Sequence, residues 1–121
     1  MYSPQLLDHF ENPRHVGEVV DANALAETEN PVCGDVLRLT LRVDAGQISE
    51  ARFKAKGCVP AMACASALTE LVWGRTVAQA RSLRREDVIS AVGGVPEAST
   101  HAAQLAIETL LQALRQVTPQ K

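Results

Sequence analysis

Several features that mark common protein classes are missing from this sequence of 121 residues, and each absence narrows the possibilities. No apolar run approaches the roughly 20 residues that a membrane-spanning helix needs. The N-terminus, Met1-Tyr2-Ser3-Pro4, has no basic segment followed by an apolar stretch, so no secretory signal is visible. The formal net charge of −2 gives no electrostatic indication of binding to nucleic acid or to a membrane surface. We therefore expect a cytoplasmic protein with no nucleic-acid partner and no membrane partner.

Cysteine is scarce, and catalytic signatures are missing as well. The three cysteines are an odd number, and nothing in the sequence indicates export. Reduced thiols with a metal or redox role are then the better default, although a reduced cysteine is often only a small buried hydrophobe. No nucleophile elbow, phosphate-binding loop or pair of catalytic carboxylates is present, which disfavours a conventional hydrolase. We expect a protein that is not an enzyme.

The order of sequence patterns predicts the fold class. Residues 1–121 suit one domain, and a hydrophobic fraction of 46% is enough for a folded core. Ser3-Pro4 is typical of a helix start, with a first helix ending near Phe10 and a weak edge strand following at about 25–28. Strand patterns come next and helix patterns follow them. This order predicts an α+β fold, a small antiparallel sheet of about three strands with helices on one face.

The clearest pattern is a β-hairpin. Residues 36–43 alternate so that Leu37, Leu39, Leu41 and Val43 share one face, and residues 50–56 alternate in the same way around Phe53. The intervening Asp44-Ala45-Gly46 suits a three-residue loop with glycine in the left-handed position. That loop predicts three pairings, which put both apolar sets on one side of the sheet. The pairings are Val43 with Gln47, Leu39 with Ala51 and Leu37 with Phe53.

Helical patterns occupy the rest of the chain. Pro60 suits a first helical turn after Cys58, and an apolar stripe follows until Gly74. Short helices are predicted at 77–83 and 86–92. A long C-terminal helix is predicted from Ser99 or Thr100 until Pro119. We interpret Trp73 and Phe53 as core residues.

Four chemically reactive side chains are expected to meet at the open end of the hairpin. The predicted register places Asp35 opposite Ala55 and Cys33 opposite Gly57, next to Cys58, at the start of a helix, a position that favours the thiolate. His101 begins the last helix, whose first turn could close the group. Two thiolates, one carboxylate and one imidazole suit zinc or the iron of a cluster. The alternatives are a reduced buried thiol pair or a cross-strand disulfide for the cysteines, a surface or capping role for His101, and a strand-entry role for Asp35.

Three further side chains are assigned more ordinary roles. Cys64 lies on the edge of an apolar helical stripe, where a buried core thiol is the expected state. A role as a ligand or as a sulfur acceptor is the alternative. His9 and His15 have no matching ligands nearby in the sequence, so surface or structural roles are expected.

The same motifs resemble those of a known family. The chain is similar to IscU/NifU-type iron–sulfur cluster assembly scaffolds over nearly its whole length. The similarity lies in the opening segment Asp8-His9-Phe10-Glu11-Asn12-Pro13-Arg14-His15-Val16-Gly17, in Pro31-Val32-Cys33-Gly34-Asp35, and in Ala51-Arg52-Phe53-Lys54 followed by Gly57-Cys58.

The resemblance implies a function and a set of partners. It implies a scaffold that binds iron and a transient [2Fe–2S] cluster on Cys33, Asp35, Cys58 and His101, with zinc possible in the isolated protein. It further implies a cysteine desulfurase as sulfur source, an iron-donor or accessory protein, and recipient apo-proteins. An Hsp70-type chaperone is implied only through a Leu-Pro-Pro-Val-Lys segment, which here reads Val95-Pro96-Glu97-Ala98-Ser99.

One departure from the family pattern bears on function. The family has a third cysteine directly after the histidine, where this chain has Ala102. Two alternatives therefore stand beside the scaffold hypothesis. One is a divergent zinc-binding or regulatory homologue that docks on a desulfurase. The other is a persulfide acceptor in which Cys64 replaces the missing cysteine.

Overall fold

The computed structural model describes residues 2–31 and 34–117 and has the predicted α+β architecture. A first helix and three strands are followed by four helices. Their bounds are α1 Pro4–Glu11, β1 Ala24–Asn30, β2 Asp35–Asp44, β3 Gln47–Lys56, α2 Val59–Val72, α3 Val77–Arg81, α4 Arg85–Ala91 and α5 Thr100–Leu114, with a 3₁₀ turn at Glu97–Ser99 before α5. Within the described ranges, no helix is both long enough and apolar enough to span a bilayer.

The sheet is antiparallel, with the strand order β1-β2-β3. The edge strand β1 is longer than predicted. Its backbone is capped by the side chain of Gln116, which accepts a hydrogen bond from Leu25 N at 3.0 Å and donates one to Leu25 O. On the opposite edge, His15 O accepts from Phe53 N at 3.0 Å and Gly17 N donates to Phe53 O at 2.8 Å. Both sheet edges are thus partly covered by the chain itself.

The hairpin forms, but the predicted register is wrong. Asp44 pairs with Gln47, so the turn has two residues, Ala45 and Gly46, with φ of 52° and 78°. Two consecutive left-handed residues are typical of a type I′ turn. A bulge then lies between Arg42 and Val43, because Val43 pairs with Ile48 whereas Arg42 pairs with Glu50.

The bulge restores the alternation that a two-residue turn alone would break. Beyond it, Leu41 pairs with Ala51, Leu39 with Phe53 and Leu37 with Ala55. The apolar sets therefore share a face as expected, but each pairing is shifted by two residues from the predicted one. A bulge adds one unpaired residue to a strand, and no alternation pattern reveals it.

Helices α2 and α5 cover the apolar face of the sheet and form the core with it. Leu39, Leu41 and Phe53 are at most 1% exposed on the sheet side. Leu68, on α2, and Leu110, on α5, are fully buried. The opening turn of α1 is capped as predicted, because Ser3 Oγ accepts from Leu6 N at 3.0 Å.

Trp73 is not a core residue, contrary to the prediction. It follows α2 with an extended backbone (ψ 120°) and is 38% exposed. Its ring lies 4.3 Å from that of His15, and the Arg52 guanidinium lies 5.8 Å from the ring centroid. Because the chain leaves the helix at this residue, its side chain is directed away from the buried helical stripe.

Candidate metal centre

Asp35 begins β2 on the same face as the core leucines, and it is only 2% exposed. The sequence-based register placed it opposite Ala55. The last observed pair is Val36 with Lys56; extended by one residue, this register places Asp35 opposite Gly57, which the Asp35 side chain closely approaches. The correction brings this carboxylate closer to Cys58 than the prediction did.

Cys58 is the N-cap residue of α2, where the backbone is still extended (φ −72°, ψ 165°). Its amide donates to Asp35 Oδ1 at 3.1 Å, and its thiol donates to Asp35 Oδ2 at 3.3 Å. The start of a helix carries partial positive charge, which stabilises a thiolate. The side chain is half-buried, so the sulfur is held in place at the end of the sheet.

His101 is the second residue of α5, and its side chain is 32% exposed. Its Nε2 lies 3.6 Å from Asp35 Oδ2, and its Nδ1 lies 3.2 Å from the Ala98 carbonyl oxygen. When Nδ1 carries the proton and donates to this carbonyl, the Nε2 lone pair is directed towards Asp35 and Cys58. The 3₁₀ turn before α5 supplies this carbonyl. That contact was not predicted from the sequence, although Pro96 before the acidic Glu97 is a signal for the start of a turn.

One oxygen, one sulfur and one nitrogen donor therefore converge. The ligand atoms of Asp35, Cys58 and His101 all lie within 4.8 Å of one another. This donor set suits zinc or ferrous iron, which accept mixed thiolate, imidazole and carboxylate ligation. Three of the four predicted site residues are thus brought together. Cys33 lies outside the described residues, so its place in the site stays a prediction.

A pocket of about 230 Å³ adjoins His101. Glu29 and Asn30 at the end of β1 line it, together with Gln104 and Glu108 on α5. A partner or an ion can therefore approach the imidazole from solvent without passing through the core.

Cys64 is placed in the core, as the first of its two interpretations predicted. It is fully buried, and burial raises the pKa of its thiol to about 12, with a smaller contribution from the neighbouring Cys58. A thiol with so little thiolate at neutral pH is a poor nucleophile. The structure therefore gives no support to Cys64 as a substitute for the missing third cysteine.

The N-terminal histidines take structural positions outside the metal group. His9 is buried, and its Nδ1 lies 2.8 Å from Ser66 Oγ. Burial lowers its pKa, with a further lowering from nearby Arg14. His15 Nδ1 lies 3.1 Å from Thr69 Oγ1, and burial lowers its pKa too. Both rings join the N-terminal segment to α2.

The fold and the site define a small α+β domain with a carboxylate, a thiol and an imidazole gathered where the sheet meets two helix starts. A family model described as the NifU-like N-terminal domain matches residues 1–121, and the chain belongs to this family.

Individual relatives agree with this assignment. Iron–sulfur cluster assembly scaffold protein IscU 1 of Archaeoglobus fulgidus is 38% identical over 114 residues, covering 94% of this chain and 74% of that protein. IscU of Aquifex aeolicus is 40% identical over 116 residues, with the same coverage of 94% and 74%. The crystal structure of a NifU-like protein (N-terminal) from Brucella abortus superposes with a TM-score of 0.79, covering 95% of this chain and 92% of that one. Its identity is 19%, so this likeness concerns the fold alone.

Proposed function

We propose that this protein is an iron–sulfur cluster assembly scaffold, which binds iron and a transient [2Fe–2S] cluster as cargo and passes the cluster to recipient proteins. The convergence of Asp35, Cys58 and His101 within 4.8 Å carries this proposal. The relatives named as scaffold proteins support it. The protein acts by binding and transfer, and no catalysed reaction of its own is needed.

Each donor has a distinct role in this function. Cys58 supplies a thiolate from a helix start, where the helix dipole favours the anion. His101 supplies a neutral nitrogen, oriented by the Ala98 carbonyl. Asp35 supplies a hard oxygen that binds iron more weakly than a thiolate does, which keeps the cargo releasable. Cys33 is proposed as the fourth ligand.

The absence of the family's cysteine directly after the histidine, where this chain has Ala102, limits which thiol can receive sulfur. Ala102 offers no donor atom, and Cys64 is buried with its pKa raised to about 12. We therefore assign persulfide acceptance to Cys58 or Cys33. The acceptor thiolate attacks the outer sulfur of a desulfurase persulfide, one S–S bond forms as another breaks, and the desulfurase thiolate leaves.

The partners follow from this chemistry. A cysteine desulfurase supplies sulfur, an electron donor supplies the two electrons that reduce each persulfide sulfur to sulfide, an iron donor supplies the metal, and apo-proteins take the finished cluster. The segment 95–99, which differs from the family's chaperone-recognition sequence, makes chaperone dependence the least supported of these interactions. In this proposal the protein works in the cytoplasm.

Anaerobic reconstitution tests the proposal. Purified protein is incubated with ferrous iron and sulfide, and visible absorption and bound iron are measured. We expect a cluster on the wild type, its loss in Cys58→Ala, and its retention in the matched control Cys64→Ala. A wild type without a cluster contradicts the proposal, as does an unchanged cluster in Cys58→Ala. Tightly bound zinc that iron and sulfide cannot displace would point to the regulatory alternative.

A further inference from the structure

Gly57 lies directly before Cys58 and in close contact with Asp35. An ideal Cβ built on Gly57 would lie 2.3 Å from Asp35 Oδ1 and 2.7 Å from its Cγ. Real Cβ atoms essentially never approach other atoms so closely. The Asp35 carboxylate therefore occupies the space that a side chain at residue 57 would need.

The observed register explains this contact. Asp35 directly precedes the last observed pair, Val36 with Lys56, and its carboxylate lies against Gly57, just beyond the end of β3. From that position Oδ1 reaches the Cys58 amide, and Oδ2 reaches both the Cys58 thiol and His101 Nε2. One buried carboxylate thus contacts both of the other donors, and it can do so because residue 57 has no side chain.

We propose that Gly57 is a positioning residue of the metal centre, since its missing side chain makes room for the Asp35 carboxylate between Cys58 and His101. This inference rests on the proposed function for its biological meaning. It concerns a residue that donates no atom to the site. A substitution at Gly57 acts through Asp35, which is displaced because its carboxylate is the movable end of a side chain.

A second property of Gly57 has to be separated from this one. Its φ of +156° is rarely adopted by residues with side chains, so any substitution also adds backbone strain. Gly17 offers a matched control, because its φ is +123° and a Cβ there would meet nothing within 4 Å. Gly17→Ala reproduces the strain without touching the carboxylate.

The first test measures affinity for Co²⁺, a spectroscopic probe for sites with mixed ligands. Five proteins are compared: wild type, Gly57→Ala, Gly17→Ala, Asp35→Ala and the double variant Asp35→Ala/Gly57→Ala. We expect Gly57→Ala to lower the affinity at least tenfold and Gly17→Ala to change it less than twofold. In the absence of the carboxylate, Gly57→Ala should have no further effect, so the double variant should match Asp35→Ala within twofold. Wild-type affinity in Gly57→Ala, or a further tenfold loss in the double variant, would overturn the inference.

The second test needs no metal. Hydrogen exchange of the Cys58 amide, measured by NMR, reports the hydrogen bond to Asp35 directly. We expect exchange at least tenfold faster in both Gly57→Ala and Asp35→Ala, and unchanged in Gly17→Ala. Unchanged protection in Gly57→Ala would overturn the inference. If Gly57→Ala does not fold, Asp35→Ala should restore its fold by removing the clash, and an unfolded double variant counts against the inference.

Failure of the proposed function has a different signature. A wild type that shows the expected amide exchange and Co²⁺ pattern but never assembles a cluster refutes the scaffold role and leaves the role of Gly57 intact. A wild type that assembles a cluster while Gly57→Ala changes neither measurement refutes only the role of Gly57.

Discussion

Two polar clusters at helix α2 each contain a histidine and a carboxylate. In one cluster the histidine is the buried member, and in the other the carboxylate is. In the first, His9 is buried between Ser66 and Glu70, and the Glu70 side chain is 47% exposed. In the second, Asp35 is buried, and the His101 side chain is 32% exposed.

The reversal separates a structural cluster from the proposed metal centre. The Ser66 hydroxyl is fully buried, lies 2.8 Å from the His9 ring and accepts a hydrogen bond from Arg14 N, so this cluster joins the N-terminal segment to α2. Around Asp35 the other two donors lie nearer the surface, and a ligand can reach them. In these two clusters, the role of the cluster is therefore indicated by which residue is buried and not by which residue types are present.

The largest expected difference separates the two thiols near α2. Cys58 should react readily with iodoacetamide in the folded protein, whereas Cys64 should react at least 100-fold more slowly. With a pKa of about 12, only about one Cys64 in 10⁴ is thiolate at pH 8, and the side chain is buried as well. Peptide mass spectrometry over time measures both rates, and denatured protein serves as the control in which both thiols react. Equal rates in the folded protein would contradict this assignment.

Metal affinity should distinguish the two histidines almost as strongly. His101→Ala removes a donor atom, and the loss of Co²⁺ affinity should exceed the roughly 10–100-fold that outer-shell changes cost. His9→Ala should leave the affinity within about twofold, because its ring faces Ser66 and Glu70 instead of the site. Competition with a chelator of known affinity measures both. A large loss in His9→Ala would remove the distinction between the clusters.

Folding stability should rank the same two variants in the opposite order. His9→Ala leaves the buried Ser66 hydroxyl without one of its two hydrogen-bond partners and opens a space in the interior, and we expect the free energy of unfolding to fall by about 1–3 kcal/mol. His101→Ala removes a half-exposed ring and should change it by less than about 0.5 kcal/mol. Urea denaturation of the metal-free proteins tests this ranking. Equal losses in the free energy of unfolding for the two variants would contradict it.

The pH dependence of stability has a defined sign at His9. Burial holds the pKa of His9 in the folded protein below its ordinary value of 6.5, so the unfolded chain binds the proton more tightly. The contribution of His9 is therefore complete above about pH 6.5 and is lost as the pH falls below it. Urea midpoints at pH 8 and at lower pH, compared between wild type and His9→Ala, should show a smaller decline in the variant. An equal decline would assign the dependence to other groups.

The smallest effect is expected at the exposed carboxylate of the structural cluster. Glu70→Gln should change stability by less than about 0.5 kcal/mol, because its contacts to His9 and Arg14 are solvent-screened. Co²⁺ affinity should be unchanged. Asp35→Asn, the matched change at the buried carboxylate, should weaken Co²⁺ binding clearly. Similar effects of the two substitutions would show that burial of the carboxylate is not what separates the clusters.

Local patterns were sufficient to predict most of the fold. The alternation around Leu39 and Phe53 identified both hairpin strands and their buried face, and Ser3-Pro4 identified the first helix. The predicted register was wrong because two arrangements bury the same faces of the strands. One is a three-residue turn, and the other is a two-residue turn followed by a bulge. The exposure of Trp73 was not predicted, because it depends on the residue at which the chain leaves α2. The apolar character of tryptophan does not reveal that residue.

The candidate site was predicted in part from the same patterns. Asp35, Cys58 and His101 were expected together, and they lie together, whereas their role as ligands stays a prediction. The contact of Ala98 O with His101, the proximity of Gly57 to Asp35 and the pairing of His9 with Ser66 were not predicted. The first is a local contact, but a backbone carbonyl carries no chemical signature in the sequence. The other two depend on tertiary distances, and at Gly57 the determinant is a missing side chain.

The covered edges of the sheet have a consequence for how this protein meets others. At Leu25 the amide of Gln116 takes the place of a neighbouring strand, and at Phe53 the backbone of His15 and Gly17 does so. While these contacts are in place, another polypeptide cannot extend the sheet at either point. Binding of a partner at these points then relies on side-chain contacts. Such contacts break more easily when one partner replaces another than a continuous ladder of main-chain hydrogen bonds does.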